Sequence, residues 1–329
     1  MESAVGSRGV RHNSSSSELR ERGSFITIVI AVAVLMNSCA TPQSRQNQNA
    51  NTQGQSASIN WQAVEQAFGR SGTLQAGDVY RFSMPRGDLR VMARGIELRP
   101  ALALGSWVAF KRMGNEAMVM GDLVLTEDEI APVMTRLQQG GIEQTALHHH
   151  VLYESPRVFY MHIGKTGDPV RIAETIRAAL ALTRTPSPAP ADSGQSQDLG
   201  IGTPQIEQII GHIGRVNGGV LQISVPRAEQ IREGGMVVPP SMGLATALNF
   251  QPTGDGRAAI TGDFVMIASE VNPVIRALRE NGIEVTALHN HMLTEEPRLF
   301  FMHFWANDDA VRLARGLRAA LDRMNVARS

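Results

Sequence analysis

Gly141-Ile142-Glu143-Gln144-Thr145-Ala146-Leu147-His148-His149-His150 is written a second time, 141 residues later, as Gly282-Ile283-Glu284-Val285-Thr286-Ala287-Leu288-His289-Asn290-His291. The same offset carries Gly121-Asp122 onto Gly262-Asp263, Pro156-Arg157 onto Pro297-Arg298, Met161-His162 onto Met302-His303 and Pro85-Arg86 onto Pro226-Arg227. Chance does not hold one register through so many motifs, so the chain is an internal duplication. Between the copies, residues 183–202 contain Thr185-Pro186-Ser187-Pro188-Ala189-Pro190 and then a Ser/Gly/Gln run, the composition of a linker. The repeats are expected at 59–182 and 203–325.

Working outward from the quoted stretch, each copy reads the same way. A strand (142–152, 283–293) meets a turn at Glu154-Ser155-Pro156 or Glu295-Glu296-Pro297 and returns as a second strand (158–163, 299–305). A closing helix follows, with Val170, Ala173, Ile176 and Leu180 at helical spacing, matched by Val311, Ala314, Leu317 and Leu321. Before the stretch come a β-rich run (117–125, 258–267) and a helix with Asp128 or Ser269 as expected N-cap. Earlier strands and a short helix open each copy. This order predicts an α+β fold of two tandem homologous domains. Each is an antiparallel or mixed sheet with helices on one face and a ferredoxin-like βαββα core.

Six of the nine histidines occupy equivalent places: His148, His150 and His162, then His289, His291 and His303. Residues two apart on a strand share a face, so His148/His150 and His289/His291 are each expected to point together. An odd-membered turn would set His162 beside His148 and His303 beside His289. Each repeat then carries three imidazoles on one face, with Tyr160 or Phe301 next to them and Glu154 or Glu295 at the turn. Three imidazoles and a carboxylate suit zinc, iron, copper or nickel. The competing reading is that histidines on a half-exposed strand only make hydrogen bonds. Asp122 and Asp263 interrupt β-rich runs, either to approach the same face or as edge devices. Arg157 and Arg298 follow the turn prolines and would clamp an anion or close a turn salt bridge.

His-x-His-x₃-Glu resembles half of the cupin metal motif. Here the next histidine follows the glutamate by only eight residues, and helices interrupt the strands, which excludes a cupin barrel. No glycine-rich phosphate loop, nucleophile elbow or His-Glu-x-x-His helix is present. Thirty-one basic residues balance thirty-one acidic ones, which removes the electrostatic footprint of a nucleic-acid binder. The single cysteine excludes an intrachain disulfide and a multi-cysteine metal site.

That cysteine, Cys39, ends an uncharged run, Phe25 to Met36, preceded by Arg20 and Arg22. Residues 1–39 read as an export signal with a lipobox-like end at Ser38-Cys39-Ala40, and 40–58 as a polar Gln/Asn/Ser tether. Acylation of Cys39 would hold the protein to a membrane on its extracytoplasmic side, in the periplasm or at the cell surface.

The stretch from Gly282 to Met292, continued by Glu296-Pro297-Arg298-Leu299-Phe300-Phe301-Met302-His303, resembles the bacterial LppY/LpqO family of lipoproteins, a domain of unknown function often found in two copies. The resemblance implies an exported, lipid-anchored protein and supplies no catalytic residues. The expected function is therefore a cell-envelope binding protein with a histidine-rich face in each repeat, directed at an envelope ligand or a divalent transition metal. A metal-dependent hydrolase using Glu154 or Glu295 as base is the alternative, and a purely structural envelope protein the third.

Overall fold

In each repeat, β-branched and aromatic runs broken by turns build the six strands of a main sheet. The computed structural model describes residues 59–187 and 198–328. In the first repeat the strands are β1 (Thr73–Gln75), β2 (Val79–Pro85), β3 (Gly105–Met113), β4 (Glu116–Thr126), β5 (Glu143–His148) and β6 (Val158–Gly167). The second repeats them as β7 (Gly214–Asn217), β8 (Val220–Pro226), β9 (Ala245–Gly254), β10 (Arg257–Ile267), β11 (Glu284–His289) and β12 (Leu299–Asp309). The longer helices are α1 (Trp61–Phe68), α2 (Glu127–Gln139) and α3 (Pro169–Leu180), then α4 (Thr203–Ile210), α5 (Ala268–Glu280) and α6 (Ala310–Leu321), and short helical turns lie at Pro100–Ala103 and Pro240–Met242.

Each repeat forms a main six-stranded sheet in the order β1-β2-β3-β4-β6-β5 or β7-β8-β9-β10-β12-β11, with every neighbouring pair antiparallel, and a small sheet of three or two short strands stands beside it. Strand β6 lies between β4 and β5, which are joined through α2, so the expected βαββα unit is present with two more hairpin strands and a short edge strand added.

Strand β4 is buried from Ala117 through Leu125, which requires cover on both faces. One face, with Val119, Leu123 and Leu125, packs with Phe68 of α1, Val133 and Leu137 of α2 and Ile176 of α3. The opposite face points to the other repeat: Met118 and Met120 share a core with Val265 and Phe301, and Val124 and Tyr160 share one with Ala259 and Trp305. The second repeat has its own helix-side core around Phe264, Leu278 and Leu317. The result is four layers, helices–sheet–sheet–helices, with the two sheets face to face. At Gly262 the backbone is so close to β9 that an added Cβ would collide with the Ala247 carbonyl.

Two expectations differ in detail. The strand predicted at 142–152 ends at His148, so His150 lies in the following loop. Helices α2 and α5 start after Thr126 and Ile267, two residues before Asp128 and Ser269. The cause is a buried carboxylate: Glu129 accepts the Thr126 N–H at 3.0 Å and Glu270 the Ile267 N–H at 2.9 Å, fixing the first turn.

Candidate functional site

Alternation along the central strands decides which side chains enter the space between the sheets. On β4, Asp122 lies on the inner face with Met120 and Val124, and β6 pairs Asp122 with His162. The second repeat pairs Asp263 with His303. Asp122, His162 and His303 are buried and Asp263 is half-buried. His148 ends β5 and His289 ends β11, and both strands sit at the edges of their sheets.

The six histidines expected as two triplets meet as one cluster. Ring centroids of His148 and His289 lie 3.6 Å apart, those of His150 and His303 3.8 Å apart, and those of His162 and His291 also 3.8 Å. Each of these close pairs joins one repeat to the other. Within a repeat the rings are farther apart: His148 is 5.0 Å from His162, and His289 is 4.8 Å from His303. In the strand ladder His162 stands opposite Ala146 and Tyr160 opposite His148, a register two residues from the one that would pair the two histidines. The two aspartates complete the cluster. Asp263 Oδ2 is 3.0 Å from His291 Nε2, and Asp122 Oδ2 is 3.7 Å from His150 Nε2.

Hydrogen bonds at the rim set the ring tautomers. A carbonyl only accepts, so His303 Nδ1 must donate to Gly262 O at 2.6 Å and His148 Nδ1 to His149 O at 3.1 Å. Burial lowers both pKa values, to about 4 for His303 and about 3 for His148, so neither ring carries a second proton at neutral pH. Burial likewise holds His150 and His162 well below the ordinary value. Each Nε2 of His148 and His303 is therefore a lone pair. Those two atoms and the Nε2 atoms of His150 and His162 are buried with no hydrogen-bonding partner, as are Oδ1 of Asp122 and Oδ1 of Asp263. Burial raises Asp122 to about 8, with the charge of Asp263 adding to it, and raises Asp263 to about 6. Imidazole and carboxyl groups converging in one largely buried space, several of them without a hydrogen-bonding partner, form an arrangement that a bound cation resolves. His148/His150/His303, His148/His162/His289 and Asp263/His289/His291 each have donor atoms within 4.8 Å of one another.

The other predicted residues fall around this centre. The Tyr160 ring stacks on His150 with centroids 3.2 Å apart, and Phe301 stacks on His291 at 3.4 Å, so both wall the cluster. Glu154 pairs with His149 at 3.3 Å, and His149 is the histidine replaced by Asn290 in the second copy. Glu295 accepts the Leu299 N–H at 2.8 Å and pairs with Arg298 at 3.2 Å. Both glutamates are thus committed at the turns. Arg298 closes a turn salt bridge, and Arg157 is exposed. Cys39 and the segments 1–39 and 40–58 lie outside the described residues.

Sequence reasoning missed two sets of positioning residues. Thr145 donates its hydroxyl to the His291 carbonyl and Thr286 to the His150 carbonyl, each at 2.6 Å, so each repeat fixes the other's histidine loop. Their shared offset of 141 was the available signal. Arg86, fully buried, donates to the Val124 carbonyl at 2.8 Å and to Glu129 at 2.7 Å, two residues along the strand from Asp122. Arg227 does the same with the Val265 carbonyl and Glu270, beside Asp263. Pro-Arg in both copies was visible, but its glutamate partner lies 43 residues away.

A model of the family described as Domain of Unknown Function (DUF1259) matches twice, over residues 62–182 and 204–323. No curated protein matches the chain. Among solved structures, a trimeric bacterial microcompartment shell protein, PduB, is 14% identical over 77% of this chain and 93% of its own, with a TM-score of 0.21. EtuB from Clostridium kluyveri is 9% identical over 76% of this chain and 90% of its own, with a TM-score of 0.19. Superpositions at these scores carry no argument about function.

Proposed function

We infer the function of this chain, which belongs to the Domain of Unknown Function (DUF1259) family, from its own residues: it is a binding protein for a divalent transition metal, held in the centre between its two repeats. The observation that carries this reading is the set of buried imidazole Nε2 atoms and aspartate oxygens without hydrogen-bonding partners, contributed by both repeats to one space. Imidazole-rich sets with a carboxylate suit zinc, iron, copper or nickel. Backbone carbonyls hold the Nδ1 protons of His303 and His148, the outer support that metal-bound histidines commonly receive. A metal-dependent hydrolase gains no support, since Glu154 and Glu295 are engaged elsewhere.

The address belongs to the same proposal. The apolar run ending at Cys39, together with the likeness to LppY/LpqO lipoproteins, supports export and acylation at that cysteine, on the outer side of a membrane. Palmitate label that persists in Cys39→Ser would refute the acylation site. For the centre, elemental analysis of the full chain after loading with zinc, cobalt or copper salts and removal of free ion is expected to find bound metal that a strong chelator strips. Replacing His148 and His289 together with alanine should abolish it. A wild-type chain that retains none of these metals refutes the function.

A further inference from the structure

Two of the donor sets share no residue: His148/His150/His303 on one side and Asp263/His289/His291 on the other. Each has an obvious fourth member. Asp122 Oδ2 lies 3.7 Å from His150 Nε2, and the His162 ring is 3.8 Å from that of His291. Completed in this way, the first set is His148, His150, His303 and Asp122. The second is His289, His291, His162 and Asp263. The offset of 141 residues converts each member of one set into a member of the other. We propose that the centre is dinuclear, with each ion held by two histidines and the aspartate of one repeat and by the third histidine of the other. This rests on the metal-binding reading and adds the number of ions and the division of the ligands.

The competing arrangement is one ion at the shared His148/His162/His289 set. It uses His162 but not its counterpart His303, in a centre where every donor is duplicated. It also leaves His150 Nε2, His303 Nε2, Asp122 Oδ1 and Asp263 Oδ1 buried without partners. Two ions engage all eight side chains, and two dipositive charges face two carboxylates. A third arrangement would give each ion the three histidines of a single repeat. The grouping of donor atoms speaks against it: those of His148 and His150 lie within 4.8 Å of His303, and among the described residues no such group joins the three histidines of a single repeat. The reciprocal threonine bonds, which tie each histidine loop to the opposite repeat, stabilise the crossed division.

The test is a count of zinc or cobalt per full chain by native mass spectrometry and elemental analysis, on the wild type and two double variants. The proposal expects two ions in the wild type. His150→Ala/His303→Ala removes ligands from one set and should keep one ion. His150→Ala/His162→Ala damages both sets and should keep none. The reverse order of the two variants would establish the per-repeat division and overturn the crossed one. One ion in the wild type would overturn the dinuclear centre while leaving the metal-binding function intact, and none would refute both. Because the wild-type count needs no substitution, the proposal stays open to refutation if a variant fails to fold; circular dichroism identifies such a case.

Discussion

His150→Phe should have opposite effects on stability with and without metal. His150 has a buried Nε2 with no partner and a ring stacked on Tyr160. An unsatisfied buried polar group costs about 1–3 kcal/mol. Phenylalanine removes that atom and retains the stack on Tyr160. The six-membered ring is larger, and overpacking costs about 1–3 kcal/mol; the side chain is 15% exposed, which leaves room toward solvent and places this cost near the lower end. The metal-free variant should therefore be more stable than metal-free wild type by about 1 kcal/mol, or about 2–4 °C in Tm at this chain length. With zinc at a hundred times its Kd, each site adds about 2.7 kcal/mol to the wild type. The variant lacks one such contribution, and its Tm should fall about 3–7 °C below that of loaded wild type. Differential scanning calorimetry with chelator and with zinc measures both differences. A shift of the same sign and size in the two conditions would mean that His150 only packs, and would refute the reasoning.

Three further outcomes follow from the same geometry. Glu129→Ala leaves the fully buried Arg86 guanidinium with only Asp88 as counter-charge, and should cost about 3 kcal/mol in a denaturant titration. Arg86 and the two backbone N–H groups hold the Glu129 pKa below its ordinary value, so its contribution is complete above about pH 4.5 and is lost as pH falls through the folded value; the acid-side fall in wild-type stability should be shallower in the variant. Gly262→Ala, which drives a methyl into the Ala247 carbonyl, should lower Tm far more than Gly105→Ala, whose added Cβ meets only the Pro100 carbonyl at 3.8 Å. Glu295→Gln should leave metal content unchanged in elemental analysis, and loss of metal would return that glutamate to the centre.

Much of the fold is legible in the chain because duplication and apolar periodicity are local signals. The β4-α2-β5-β6-α3 order follows from them, whereas the choice for Asp122 between the histidine face and an edge device stayed open until the sheet was seen to pair it with His162. The start of α2 was misread although Thr126-x-x-Glu129 is a local capping-box pattern; what no local pattern encodes is the arginine 43 residues earlier that holds the same carboxylate. An arginine at 0% exposure also runs against the usual preference for surface positions. The main thing hidden was the merging of two histidine faces into one. A strand pattern tells which side chains share a face but not what that face meets.

That meeting has a physical cause in the same sequence. The helix-free faces of the two sheets carry Met118, Met120, Val124 and Tyr160 on one side and Ala259, Val265, Phe301 and Trp305 on the other, all buried. Neither face is stable in water alone, and the hydrophobic effect brings them together. Once they close, the polar inner-face residues lose most of their solvent, and the histidines and aspartates left between the sheets must find partners in one another or in a cation. Duplication makes the donors symmetric, and closure makes them converge. Under the proposed division an isolated repeat would lack both the cover for its inner face and the third imidazole for its ion. Folding and metal binding are then coupled: the contact that buries the apolar faces also completes each ligand set, and a bound ion would in turn hold the two sheets together.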